Sequence, residues 1–142
     1  SYRRLRPSEH APTYASWGID NRSAAVRVIV ASKAATRIEH RVAGADTNPY
    51  LVLAMILSAA LAGMKEKRQP GGAISGDSHA INHEPLPTNW DYALQRFTRS
   101  SFAYATLGQK YRTLFSACKQ QELSEFSLRV TDVEYDAYIR TV

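Results

Sequence analysis

The sequence predicts an α+β fold: a small antiparallel sheet packed by a buried helix and a C-terminal helical group. Three observations predict it. Residues 24–30 and 36–41 are two strand-like runs, separated by a stretch short enough for a hairpin. Residues 50–64 are apolar almost all round, as expected of a helix in a core. From residue 89 onward, aromatic and aliphatic residues recur at helical spacing between capping residues.

The elements follow in order. Residues 1–12 read as irregular, punctuated by Pro7 and Pro12, and place Glu9 beside His10. A Glu-His pair in loop-like sequence can move protons or be an ordinary surface pair. Residues 13–18 suggest a short strand, and Asp20-Asn21 a turn leading to Arg22. In the next strand Val26, Val28 and Val30 share one face, and Arg27 lies on the other with Ala25 and Ile29. In the following strand Arg37, Glu39 and Arg41 share a face opposite Ile38, His40 and Val42. A hairpin centred on Lys33 sets Arg27 against Glu39 and Ala25 against Arg41; a slip of one residue would put the charges on opposite faces. In register, Arg27, Arg37, Glu39 and Arg41 gather above a Val/Ile core face. Such a surface can be a solvated ladder of ion pairs or a wall that holds anions. In the second case arginines clamp phosphate or carboxylate and Glu39 offers oxygen to a divalent cation.

Asn48 is a good N-cap and Pro49 a good first helical residue, so a helix begins there, closed by Lys65, Lys67 and Arg68. The apolar run is too short to span a bilayer. Residues 69–89 form a long Pro/Gly-rich loop, in which His79 and His83 lack the helix that would make their spacing metal-binding. Asn89 and Ser100 or Ser101 open two helical runs, with Gly108 an interruption and Cys118 a small core residue. Phe126 and Leu128 suggest an extended piece. Thr131 with Glu134 forms a capping box for a last helix striped by Tyr135, Tyr138 and Ile139.

At 142 residues, 44% hydrophobic and 22% charged, the chain has the composition of one globular domain. One cysteine excludes an internal disulfide and fits a reducing, cytoplasmic setting. No apolar leader follows the arginine-rich N-terminus, and the first residue is not Met, which suggests a piece of something longer. The net charge of +5 is concentrated in residues 1–41, where Arg3, Arg4, Arg6, Arg22, Arg27, Lys33, Arg37 and Arg41 face only Glu9, Asp20 and Glu39. A nucleic-acid module would interleave its cations with exposed aromatics. Here the aromatics mostly have core spacing, so nucleic acid is not the expected partner, although a basic nucleic-acid-binding module remains the alternative reading of another class; the short apolar run makes a membrane partner equally unexpected. No GxGxxG, GxxxxGK[ST] or CxxC pattern is present.

Several stretches, in order, together resemble the C-terminal part of the catalytic domain of the glutamine synthetase family: Ser1-Tyr2-Arg3-Arg4-Leu5, Ala11-Pro12, Trp17-Gly18, Asn21-Arg22-Ser23, Val26-Arg27-Val28, Arg37-Ile38-Glu39-His40-Arg41 and Asn48-Pro49-Tyr50. The resemblance implies that residues 1–142 are a C-terminal fragment of such a domain. The parent would be an ATP-dependent ligase that phosphorylates glutamate to γ-glutamyl phosphate and lets an amine displace the phosphate. It implies ATP and Mg²⁺ (or Mn²⁺) as cofactors, with Glu39 a metal ligand. Arg4 and Arg41 match arginines that hold glutamate. Arg22 matches one at the transferred phosphoryl group, and Arg27 and Arg37 match others around the ATP phosphates. It also implies an upstream remainder of the ligase chain, without which the fragment would be inactive, and a homo-oligomeric ring. Ammonia-using members carry Glu just before the Ala-Pro of the flap. Here His10 stands there, with Glu9 one residue earlier. The run from His40 to Asp46 also looks more like γ-glutamyl-polyamine synthetases, which makes putrescine or another primary amine the expected acceptor and ammonia the alternative.

Overall fold

The computed structural model describes residues 2–7, 10–77 and 84–141. Glu9, His79 and His83 lie outside them. The chain divides into two compact units, Ser1–Asn89 and Trp90–Val142.

The first unit opens with a 3-10 turn, Tyr2–Arg4. Three strands follow: β1 (Trp17–Ile19), β2 (Val26–Ile29) and β3 (Arg37–His40), in sheet order β1-β2-β3. β2 and β3 form the expected antiparallel hairpin in the expected register, with Arg27 opposite Glu39. The Arg41 amide donates to the Ala25 carbonyl at 2.9 Å, which extends that register past the end of β3. The sheet is mixed rather than antiparallel, because β1 pairs with β2 in parallel, Gly18 lying opposite Arg27. Residues 20–25 bring the chain back so that it re-enters in the same direction. Asp20 adopts a left-handed conformation (φ 50°). The Asn21 side chain then accepts from the Ser23 amide at 2.9 Å and from its hydroxyl at 2.7 Å, a local Asx turn.

Buried residues of this unit include Leu5, Ala11, Pro12, Thr13, Ser16, Ser23, Ala24, Ala25 and Ile74. The expected Val/Ile core face of the hairpin is only partly covered: Val26 and Val28 are half-buried, Val30 and Ile38 exposed. Residues 71–76 run along the outer edge of β1. The Ile74 amide donates to the Trp17 carbonyl at 2.9 Å, and the Trp17 indole donates to the Gly71 carbonyl at 2.7 Å. This approach needs Gly18, since a Cβ there would lie 2.7 Å from the Ile74 carbonyl oxygen and 2.9 Å from Asn21 Cβ. Gly18→Ala should therefore destabilise the unit by about 1–3 kcal/mol, the usual range for overpacking. A lower urea midpoint measures it; an unchanged midpoint contradicts the close approach.

Helix α1 (Pro49–Lys65) starts where expected, with the Asn48 side chain accepting from the amides of Tyr50 and Leu51. It is not the buried helix expected from its composition. It has no buried residue, and Tyr50, Leu53, Leu57, Leu61 and Met64 are exposed, Tyr50 at 83%. Among the described residues, the element pairs that pack closely are β1 with β2, β2 with β3 and α2 with α3, so α1 is not seated on the sheet. An apolar run of this kind predicts burial, which the described residues do not provide.

The second unit holds α2 (Trp90–Arg99), α3 (Ser101–Ser127) and α4 (Asp132–Tyr138). Ser100 caps α3, and Gly108 kinks it at φ 77°, ψ 160°, as its place in the sequence suggests. Phe97 and Phe115 pack with ring centroids 5.2 Å apart, and Leu94 and Ala103 are buried. Three expectations change here. Phe126 is helical and Leu128 is the C-cap of α3 rather than part of an extended piece. Cys118 is exposed rather than a core residue. The stripe of α4 is exposed at Tyr135, Tyr138 and Ile139. The Thr131–Glu134 capping box forms as expected, and its hydrogen bonds from Thr131 hold the Glu134 carboxyl below the usual range.

Candidate active-site wall

The hairpin register fixes the centre of the site. Glu39 Oε2 accepts from Arg27 Nη1 at 3.2 Å and from Arg41 Nη1 at 3.4 Å. The three side chains are 31%, 16% and 21% exposed, so the cluster is half sheltered from water. Arg27 carries a second carboxylate on its other side: Asp20 Oδ1 accepts from Nε at 3.0 Å and also from Nη2. The result is a row of alternating charge, Asp20–Arg27–Glu39–Arg41. The Arg27 hydrogen bond, and then its charge, hold the Asp20 carboxyl below the usual range, while Asp20 first and Glu39 second raise Arg27. An acid held down in this way stabilises the fold above its unfolded pKa, and that contribution is lost as pH falls through the lowered value.

Arg41 does more than pair with Glu39. Its Nε donates to the Arg22 carbonyl at 3.1 Å and its Nη2 to the His10 carbonyl at 3.0 Å. One guanidinium thus ties the segment before Ala11-Pro12, the turn carrying Arg22 and the strand carrying Glu39. Arg4 Nη2 donates to the carbonyls of Arg41, Val42 and Ala43 at 3.2, 2.9 and 3.4 Å, clamping the exit of β3. The structure therefore gathers Arg4, His10, Arg22, Arg27, Glu39 and Arg41 around β3. Arg37 stands apart from the carboxylates: it pairs with Ile29 in register, and its Nη1 donates to the Ala35 carbonyl at 3.0 Å. The His10 side chain is exposed. His40, on the other face, is pushed below its usual pKa by partial burial although the residue as a whole stays largely open to solvent.

Beside this wall lies an open cleft of about 530 Å³ lined by Ile19, Asp20, Asn21, Arg22 and residues 73–76. The Asn21 side-chain Nδ2 donates to the Gly76 carbonyl at 2.8 Å and holds the two rims together. The exposed Arg22 side chain lines the cleft and acts on Asp20 through its charge. Asp20 is the residue that the sequence reading missed as part of the site. It reads as a turn residue, and only the parallel pairing of β1 with β2 carries it to Arg27.

A divalent cation takes six or more oxygen ligands, or several ligands and waters. Among the described residues no three His, Cys, Asp or Glu side chains cluster to hold one. Glu39 can offer one oxygen, since both arginines bond to Oε2. The described residues alone do not make a metal site.

The chain belongs to the glutamine synthetase family: the model of the glutamine synthetase catalytic domain matches residues 1–138. It is 35% identical over 136 residues to gamma-glutamylputrescine synthetase PuuA of Escherichia coli (strain K12), over 96% of this chain and 29% of that protein. It is 33% identical over 147 residues to the glutamine synthetase of Clostridium saccharobutylicum, over 98% of this chain and 33% of that protein. Among solved structures, that of apo GmaS without ligand superposes with a TM-score of 0.79 at 28% identity, covering 98% of this chain and 32% of that one. The chain spans about a third of the length of these relatives. No helix among the described residues is long and apolar enough to cross a membrane.

Proposed function

We propose that residues 1–142 are the C-terminal part of a glutamine synthetase-type catalytic domain. In this reading they supply one wall of the active site of an ATP-dependent glutamate–amine ligase. The carrying observation is the placement of Arg27 and Arg41 on one oxygen of Glu39, in a half-sheltered row next to the exposed Arg22. Phosphoryl transfer asks a protein for fixed positive charge where negative charge gathers, and little covalent help. In this reading Arg22, Arg27 and Arg37 face ATP and the phosphoryl group in transit, with Arg22 free to meet it from the cleft. Arg4 and Arg41 serve the glutamate side. Arg4 bonds to backbone carbonyls through Nη2 alone, which leaves Nε and Nη1 to reach a carboxylate; Arg41 bonds from all three nitrogens, which leaves it one N–H on Nη1 and one on Nη2. ATP and Mg²⁺ or Mn²⁺ are the expected cofactors, with Glu39 one oxygen ligand of the metal and the rest from outside the described residues. The remainder of the ligase chain, a homo-oligomeric ring and a cytoplasmic setting complete the proposal.

The acceptor follows from His10. The Arg41 bond goes to its carbonyl, so the backbone of the flap is held while the side chain is presented outward. Glu9, the other candidate for the flap's proton chemistry, lies outside the described residues. An imidazole where ammonia-using members carry a carboxylate suits a larger primary amine, such as putrescine, better than ammonium. Because the tether is to the backbone, His10→Glu changes the side chain alone. In the full-length protein, this variant should raise activity with ammonium relative to putrescine by roughly tenfold, a specificity difference made by one contact. An unchanged acceptor ratio would remove His10 from acceptor choice.

A further inference from the structure

We propose that Asp20 is a positioning residue for Arg27: from the end of β1 it holds the guanidinium fork in register with Glu39, and in doing so it weakens the pull of the arginine wall on anions. The proposal rests on the ligase reading, in which Arg27 faces phosphates.

Arginine has five N–H donors in a rigid fork on a flexible stem. In Arg27, Nε and Nη2 go to Asp20 and Nη1 to Glu39. Glu39 comes from the antiparallel neighbour, directly across, whereas Asp20 comes from the parallel neighbour on the other side. Two carboxylates, one just past the end of β1 and one on β3, therefore set the orientation of a fork that one would leave free to swing. Asp20 is itself held: its amide donates to the Val28 carbonyl at 2.8 Å, and its φ of 50° is one that Asp and Asn tolerate better than most residues.

Stability alone explains this arrangement poorly. Arg27 is 16% exposed, but the Asp20 side chain is 70% exposed, and a pair this open to water on one side adds little to folding. Its place explains more. Asp20 lines the 530 Å³ cleft, and Arg27 does not. An anion entering there meets a carboxylate as well as Arg22, so it binds less tightly than to the arginines alone. What the wall gains is an Arg27 already aimed when the anion arrives, and interactions formed in advance are the ones that speed a reaction.

The test compares wild type, Asp20→Asn and Asp20→Glu in the full-length protein. Asn accepts the same backbone conformation, so the variant keeps the turn. Calorimetric titration with a nonhydrolysable ATP analogue reads anion affinity, and steady-state kinetics read kcat and KM for ATP. Asp20→Asn should bind the analogue roughly three- to tenfold tighter, as expected for removing one charge near a partly solvated anion. It should also lose roughly tenfold in kcat, with KM falling rather than rising. Asp20→Glu should restore most of the kcat. Analogue binding that is unchanged or weaker in Asp20→Asn, or a kcat equal to wild type, overturns the proposal. The binding measurement needs no turnover: a wild type that binds the analogue but ligates no amine refutes the ligase reading, while tighter binding by Asp20→Asn still supports the role of Asp20.

Discussion

Replacing Glu39 by Gln is expected to abolish most activity of the full-length protein and to loosen the hairpin. The carboxylate is shared by Arg27 and Arg41, each within 3.4 Å of one oxygen. Gln keeps the shape and an acceptor but removes the charge, which leaves two guanidinium groups facing each other across a neutral amide. The pairs are neither fully exposed nor fully buried, so the loss of stability should be about 2 kcal/mol, between the small value of surface pairs and the larger one of buried pairs. If the wall serves phosphoryl transfer as proposed above, the loss of turnover should be greater, on the order of 10²-fold or more, because one fixed charge disappears from the site and the arginines it holds lose their aim. Melting temperature and kcat of Glu39→Gln measure the two effects. A variant with near-normal kcat would reduce the cluster to a solvated ladder of ion pairs.

Arg41→Ala should produce the second large effect, through positioning as much as through lost charge. This side chain links Glu39 to the carbonyls of Arg22 and His10. Hydrogen bonds from a charged group contribute more than neutral ones, so truncation should cost about 2–4 kcal/mol and release both segments. Arg41→Lys keeps the charge, but one ammonium cannot reproduce a fork that reaches acceptors from three nitrogens, and should recover only a minor part of the activity. Hydrogen exchange at residues 10–13 measures the release, with faster exchange expected in both variants. Full activity in Arg41→Lys would show that charge alone matters there and would sink the tether.

The hairpin was legible because strand alternation and the midpoint at Lys33 allow one register that puts Arg27 against Glu39, and the pairing follows it. The start of α1 was legible from Asn48-Pro49, and the capping box from Thr131 and Glu134, because caps are local chemistry. What failed was non-local. The parallel pairing of β1 with β2 across residues 20–25 runs against the usual need for a long crossover, so the mixed sheet and the reach of Asp20 were hidden. The apolar surface of α1 marks a helix meant for burial, yet composition cannot say whether the covering layer lies in the same stretch of chain. Arg37 shows a third limit: sharing a face with Glu39 does not make a guanidinium turn toward it, and this one bonds to the Ala35 carbonyl instead.

In the function proposed above, this arginine wall serves a ligase that activates glutamate with ATP for an amine. The most direct test is phosphate release by the full-length protein supplied with glutamate, ATP and Mg²⁺, with putrescine or ammonium as acceptor. Release should require glutamate and be faster with putrescine than with ammonium. Phosphate release that is indifferent to glutamate, or absent with every amine and with ammonium, would contradict that function.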